Sequence, residues 1–297
     1  MNKDLLEKYN HIRNSGSGFY EQKRGLIAVW GKEAVQFLNG LITNDVGKIE
    51  ENAQMSAAFP NAQGRLLAIV CVLKTGDKFL FETEAATHEK VFNNLFRFTF
   101  AGDFFVEDLS ENYRYFEISD SKFQIPNLVE FQSRFGKSVF VPNDAAGDFK
   151  NELKNQNAIE ISDDLYEILR VESGIAKYGV DADETTIVPE LGIENLISYN
   201  KGCYIGQEII ARIHFRGHVA KQLTGLILET EAQAGDELKS FDGKNAGKIT
   251  SVVFSPKIEK TIALAFVRYD YLAQGTELKV SETLATVKDL PFVEKIS

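Results

Sequence analysis

The sequence predicts an α+β protein of two or three domains that ends in a small all-β unit. Three observations predict it. Up to residue 118, apolar runs of strand length alternate with stretches whose apolar residues recur every three or four positions. From residue 223 onward only short β-like runs remain, separated by the turn pairs Gly235-Asp236, Asp242-Gly243 and Gln274-Gly275. The chain has 297 residues, 44% apolar and 26% charged, which are globular proportions. That length suits two or three domains of ~100–150 residues.

The elements follow in order. Leu26–Trp30 reads as a buried strand, and Lys32–Ile42, with apolar residues at 34, 35, 38, 41 and 42, as a helix with one buried face. Met55–Phe59 and Arg65–Leu73 read as a hairpin around the turn-rich Pro60–Gly64. Lys78–Thr83 is a further strand after the Lys74–Asp77 turn. Ala85–Phe98 is a helix with Val91, Leu95 and Phe98 on one side, and Phe104–Leu109 and Tyr113–Ile118 return to strand. Between Ser119 and Gly147 the signals are weak, punctuated by Pro126 and Pro142. Asp148–Asn155 and Asp163–Ser173 look helical. Asp163 and Asp164 sit where a helix dipole favours acids, and Gly174 stops the second helix. Ile175–Asn200 is a long aperiodic stretch, of the kind often functional. Leu223–Thr230, Ala246–Phe254, Thr261–Arg268 and Glu277–Val280 make a barrel or sandwich. The expected divisions are 1–118, 119–222 and 223–297.

There are 43 acidic and 33 basic residues, a net charge of −10, which weighs against a broad nucleic-acid binder. The two cysteines, Cys71 and Cys203, are too few for a disulfide framework or a self-ligated cluster, and no metal-ligand spacing occurs. Met1–Arg13 lacks both the apolar core of a signal peptide and the acid-poor character of a transit peptide. No run approaches the ~18 apolar residues of a membrane span. A soluble, reducing, cytoplasmic setting is expected.

Three segments carry candidate chemistry. In Lys201-Gly202-Cys203-Tyr204-Ile205-Gly206-Gln207-Glu208, glycines flank a cysteine that lies beside a lysine and before a helix start. Both neighbours lower a thiol pKa, so Cys203 is a candidate reactive thiol; the competing reading is a small buried hydrophobe. Gly206–Ile213 is helical, with Glu208 and Arg212 at pairing distance. Residues 201–222 hold Lys201, Arg212, Arg216 and Lys221 against Glu208 alone, a local +3 that suggests an anion-facing surface. His214 and His218 read as surface or phosphate-contacting groups, and Cys71, inside an apolar run, as core. In the second segment, Arg170-Val171-Glu172-Ser173-Gly174, the side chains are either a solvated helix end or a carboxylate facing a cleft. The third, Leu38–Asp45, is by itself an ordinary helix exit.

Together these strings resemble the YgfZ family of folate-binding proteins, which assist iron–sulfur enzymes and are related to the glycine cleavage T-protein. The cysteine string is the specific match. Phe37–Asp45, Asn61–Arg65, Arg170–Gly174, Pro189-Glu190, Gly247–Ser251 and Ile262–Ala265 match in the same order. The resemblance implies a ring of three domains around a central folate-binding opening, closed by a C-terminal β-barrel. It implies tetrahydrofolate or a one-carbon derivative as cofactor, and iron–sulfur client proteins or assembly factors as partners. It implies that Glu172 faces the pterin edge and that Cys203 lies near the opening with Lys201. Arg170, Tyr204, Gln207, Arg212 and Arg216 are the further candidate contacts to folate, with Arg212, Arg216 and Lys221 binding its glutamate tail or, alternatively, an acidic partner. Cys203 would exchange disulfides, accept a one-carbon adduct or contact cluster iron.

One departure separates the relatives. Aminomethyltransferases carry an acidic pair after the hairpin glycine, whereas this chain reads Gly64-Arg65-Leu66-Leu67-Ala68-Ile69-Val70. An aminomethyl transfer needs a group to orient or polarise its reactants. A folate-dependent aminomethyltransferase is therefore the second expectation, and an RNA- or protein-binding module the third.

Overall fold

The computed structural model describes residues 3–14, 16–100, 102–119, 128–133, 135–281 and 283–294; Pro126 lies outside them. The chain opens with helix α1 (Lys3–Asn14), strands β1 (Gly18–Gln22) and β2 (Arg24–Trp30), and helix α2 (Ala34–Leu41). The hairpin β3 (Gln54–Pro60) and β4 (Leu66–Thr75) follows, then β5 (Lys78–Glu84), helix α3 (Ala85–Phe96) and β6 (Phe105–Asp108). Next come β7 (Tyr113–Ser119), β8 (Val129–Gln132), β9 (Lys137–Pro142), helix α4 (Ala146–Asn155), β10 (Ile159–Glu160) and helix α5 (Asp163–Glu172). An irregular stretch with one short 3-10 turn, Val188–Leu191, leads to helix α6 (Gln207–Arg216). Strands β11 (Lys221–Leu228), β12 (Glu237–Lys239), β13 (Asn245–Ser255), β14 (Lys260–Arg268), β15 (Glu277–Val280) and β16 (Thr283–Lys288) complete the chain.

The mixed α+β content and the closed C-terminal barrel agree with the expected fold. Among the described residues the barrel order is β11-β14-β13-β12-β15-β16. One five-stranded sheet runs β10-β1-β7-β9-β8 and the other β3-β4-β5-β2-β6. The chain does not fill these sheets in sequence order. β1 belongs to the first and β2 to the second, and only Lys23 separates them. The crossover between sheets therefore falls at Lys23-Arg24.

Packing explains the layers. Helices α2 and α3 cover one face of the second sheet, where Leu38, Val91 and Leu95 meet Phe59, Val70, Val72 and Phe81. The opposite face, through Leu26, Ala28 and Leu80, meets Tyr115, Phe131 and Phe140 of the first sheet. β2 is thus buried on both sides, consistent with its unbroken apolar run. Helix α4 covers the far face of the first sheet, and α1 packs on α5 through Tyr9, Ile12, Leu165 and Leu169. The barrel docks on α5, with Val171 set among Leu223, Ile262, Leu264 and Phe266. Full burial of each such side chain contributes about 1.5–3 kcal/mol.

Candidate functional site

Where the two sheets meet, strand alternation turns several polar side chains inward. In β5, Phe79, Phe81 and Thr83 are buried on one side, which leaves Glu82 and Glu84 on the side of Leu80. In β7, Phe116 and Ile118 pack under α4, which leaves Tyr115 and Glu117 on the other face. In β4, Val70 and Val72 face the α2–α3 layer, which leaves Ile69 and Cys71 opposite. These residues line a cavity of ≈240 Å³, together with Arg24, Ile175, Ala176 and Ile193.

Arg24 is the electrostatic centre of this cavity. Its Nη1 is 3.1 Å from Glu82 Oε1 and its Nη2 is 3.9 Å from Glu117 Oε1. Burial opposes its charge, but Glu82, Tyr115, Glu84 and Glu117 around it outweigh burial and raise its pKa well above the ordinary value. Burial also pushes the carboxyls of Glu84 and Glu117 upward, with Arg24 only partly opposing it. Glu117 accepts hydrogen bonds from Gln22 Nε2 at 2.9 Å and from the hydroxyls of Tyr115 and Tyr166 at 3.2 Å. Glu84 accepts one from the Tyr178 N–H at 3.1 Å. Three carboxylates around one guanidinium form an acceptor-rich wall beside an apolar one, and two of them, Glu84 and Glu117, are raised above their usual range.

Cys71 was expected in the core. It packs against the core cluster of Leu26, Leu80 and Phe140 and also faces this cavity, because its position in β4 alternates with Val70 and Val72. Burial and then Glu82 raise its pKa, so its thiol stays protonated.

The Arg170–Gly174 segment is assembled differently. Glu172 is 0% exposed. Its carboxylate accepts from Tyr9 Oη at 2.8 Å, and is also held by Arg13 and by the Ser255 hydroxyl. It joins α1, α5 and the barrel and does not line the cavity between the sheets. Arg170 is equally enclosed. It donates to Asp181 Oδ2 at 2.7 Å, to Ser251 Oγ at 2.8 Å and to Glu167 Oε2 at 2.9 Å. The carboxylates that reach the cavity are Glu82, Glu84 and Glu117. The residues that follow Glu172, from Gly174 to Ala176, do line it.

The cysteine segment lies elsewhere. Lys201 donates from Nζ to the carbonyls of Ile42 at 2.9 Å and Asn44 at 2.6 Å, and to Asn39 Oδ1 at 3.4 Å. Burial lowers its pKa to about 8. Lys201 thereby ties the segment to the α2 exit, which is the reason the Leu38–Asp45 string accompanies it. Tyr204 is buried beside Leu66, Leu191 and Ile210, and burial pushes its hydroxyl up to about 12. Gln207 Oε1 accepts the Tyr204 N–H at 3.3 Å. Gly206 has φ +81°, and a Cβ there would lie 2.4 Å from Asn61 O. Only glycine lets α6 start against the β3–β4 hairpin. Cys203 is exposed and does not line the cavity between the sheets.

On α6 only Ile210 is buried. Arg212 and Arg216 border a shallow surface hollow with Gln207, Glu208, Ala211 and Phe215, not the central cavity. Among the described residues Glu208 and Arg212 form no ion pair, although both lie on α6. His214 stacks on Tyr199 at 3.6 Å and His218 on Tyr269 at 3.7 Å. The structure thus gathers Arg24, Glu82, Glu84 and Glu117, none of which was singled out from sequence, and leaves Cys203 exposed away from that cavity, anchored by the enclosed Lys201 and Tyr204. Among the described residues no helix is long and apolar enough to cross a membrane.

The fold defined by these sheets and barrel is that of the glycine cleavage T-protein. The aminomethyltransferase T of the Bartonella henselae glycine cleavage system superposes with a TM-score of 0.88 over 98% of this chain and 90% of its own, at 19% identity. Residues 221–294 match the glycine cleavage T-protein C-terminal barrel domain. In sequence, the chain is 24% identical to the aminomethyltransferase of Thermoanaerobacter pseudethanolicus, covering 93% of this chain and 84% of that protein. It is 25% identical to the mitochondrial iron-sulfur cluster assembly factor IBA57 homolog of Mycosarcoma maydis, covering 68% of this chain and 55% of that protein.

Proposed function

We propose that this chain binds a reduced folate, tetrahydrofolate or a one-carbon derivative, between its two sheets and acts as an accessory protein in the assembly or repair of iron–sulfur clusters. The observation that carries the reading is the composition of the cavity walls. β4 offers Ile69 and Cys71 but no carboxylate, while Glu82, Glu84 and Glu117 reach in from β5 and β7. A reduced pterin has a planar pyrimidinone ring fused to a puckered one and is rich in N–H donors. The isoleucines at 69, 175 and 193 supply an apolar contact for its faces and the three carboxylates accept its N–H groups. A volume of ≈240 Å³ suits the ring, with the remainder of the molecule outside it. When bound, such a folate would supply one-carbon chemistry; Arg24 and the carboxylates orient it.

The likeness to an iron–sulfur cluster assembly factor supports the accessory role. An exposed Cys203 on the outer surface suits exchange with another protein's thiols or cluster better than chemistry inside the cavity. The likeness to aminomethyltransferases supports the second reading, a folate-dependent transferase.

Titration calorimetry with tetrahydrofolate tests the folate part. Saturable one-to-one binding is expected, weakened about tenfold in Glu84→Gln through loss of one charged acceptor; absence of binding sinks it. Cys203→Ala tests the accessory part in a strain lacking this chain. Full recovery of iron–sulfur enzyme activity by that variant removes the thiol from the mechanism. Turnover of an aminomethyl donor by the purified protein establishes the transferase.

A further inference from the structure

Helix α6 presents a face that the cavity does not use. Its residues Glu208, Ala211, Arg212, Phe215 and Arg216 fall at helical spacings of three and four, and they border one shallow hollow. Phe215 is 67% exposed, its ring edge-on to His214 at 4.7 Å, and it borders the hollow together with Arg212 and Arg216. Phe215 also borders a second hollow, lined by Asn195, Tyr199 and His214. Arg212 and Arg216 have no ion pair among the described residues. The other two cations of the 201–222 segment are already employed: Lys201 on backbone carbonyls, and Lys221 over the Phe266 ring at 4.5 Å. The charge that faces outward on α6 is therefore that of the two arginines against the single carboxylate of Glu208, a local positive excess in a protein whose net charge is −10.

The geometry points to α6 as a docking helix for an acidic protein segment, one that sets two carboxylates on Arg212 and Arg216 and an apolar side chain against Phe215. Three features select this partner. Guanidinium groups one helical turn apart match carboxylates on an extended or helical segment and bind them in two-point fashion. An exposed aromatic flanked by arginines is the composition of an interface anchor. The strongly acidic remainder of the molecule repels a nucleic-acid backbone beyond this one face. The exposed Gly202-Cys203 pair lies just three residues, Tyr204-Ile205-Gly206, ahead of the helix, so a protein docked here would approach the thiol. The inference does not depend on folate, because none of these residues lines the cavity between the sheets.

A phage-displayed library of random dodecapeptides, selected on the intact protein, tests it. Enriched sequences should be rich in Asp and Glu with at least one Leu, Phe or Trp. The best of them, fluorescein-labelled, should bind in an anisotropy titration. Binding should weaken about tenfold or more in Phe215→Ala, and at least as much in Arg212→Glu/Arg216→Glu. It should also weaken as salt is raised from low to physiological strength. Circular dichroism and tetrahydrofolate calorimetry on the same variants show that fold and cavity are untouched, which separates this result from any failure of the folate reading. Selection of peptides without acidic enrichment overturns the proposal. So does equal binding by the double variant, or tighter binding of a labelled single-stranded oligouridylate than of the selected peptide.

Discussion

Glu172 and Glu84 are both glutamates at the end of an element, yet their surroundings assign them opposite tasks. Glu172 has Arg13, Tyr9 and Ser255 on its oxygens and is 0% exposed. Neutralising it leaves Arg13 charged and enclosed, which typically costs about 3–5 kcal/mol. Glu172→Gln should therefore lower the urea midpoint strongly. If the protein stays folded, tetrahydrofolate affinity should change little. Glu84→Gln should do the reverse, because among the described residues its carboxylate accepts one backbone N–H, Glu82 and Glu117 still balance Arg24 without it, and the cavity has room beside it. Equal stability losses in the two variants would contradict the division. From the residues alone Arg170–Gly174 is either a solvated helix end or a carboxylate facing a cleft, and the family resemblance implies that Glu172 faces the pterin edge; the structure encloses both Arg170 and Glu172. Burial of α5 on two sides, by α1 and by the barrel, is a tertiary fact with no local signature.

Elements with a clear period were legible and those without one were not. The β3–β4 hairpin, β5, α3 and the long barrel strands follow their apolar patterns to within a residue or two. Helix α1 carries Leu5, Tyr9 and Ile12 at helical spacing, a signal hidden by its many charges. β12 has three residues and β10 two, too short for any period to show. The cavity carboxylates did leave a trace. In Lys78–Glu84 the acids alternate with Phe79, Phe81 and Thr83, and in Tyr113–Ser119 Glu117 stands between buried apolar neighbours. Acids inside an alternating strand near a sheet–sheet contact are the pattern to look for. The glycines around Cys203 also separate by element. Gly206 starts α6 at φ +81° against Asn61, whereas a Cβ on Gly202 meets nothing within 4 Å. Gly206→Ala should lose at least ~1–2 kcal/mol from the backbone conformation alone. Gly202→Ala should be nearly neutral. Thermal melts of the two variants check the pair, and a comparable drop in both would remove the anchoring role of the α6 start.

At the scale of the whole molecule, the cavity is where the two sheets and the Gly174–Ile193 stretch share a wall, so its protonation and occupancy bear on the stability of all of them. Glu84 and Glu117 have pKa values raised above the ordinary 4.5, burial being the chief cause. The folded state therefore holds more protons than the unfolded one between 4.5 and the raised values. Stability from these two groups is full below that window and is lost as pH rises through it. Relative to the Glu84→Gln/Glu117→Gln variant, wild type should lose unfolding free energy as pH rises across the window, in urea titrations at matched ionic strength. A donor-rich ring changes the balance, because its N–H groups are best accepted by the ionised carboxylates. Tetrahydrofolate at a hundredfold excess over Kd should add about 2.7 kcal/mol. At fixed ligand concentration the gain should grow with pH through the same window, as binding expels the protons that the empty cavity keeps. Parallel wild-type and variant curves, with and without folate, would separate the cavity from this linkage and leave its carboxylates a structural role alone.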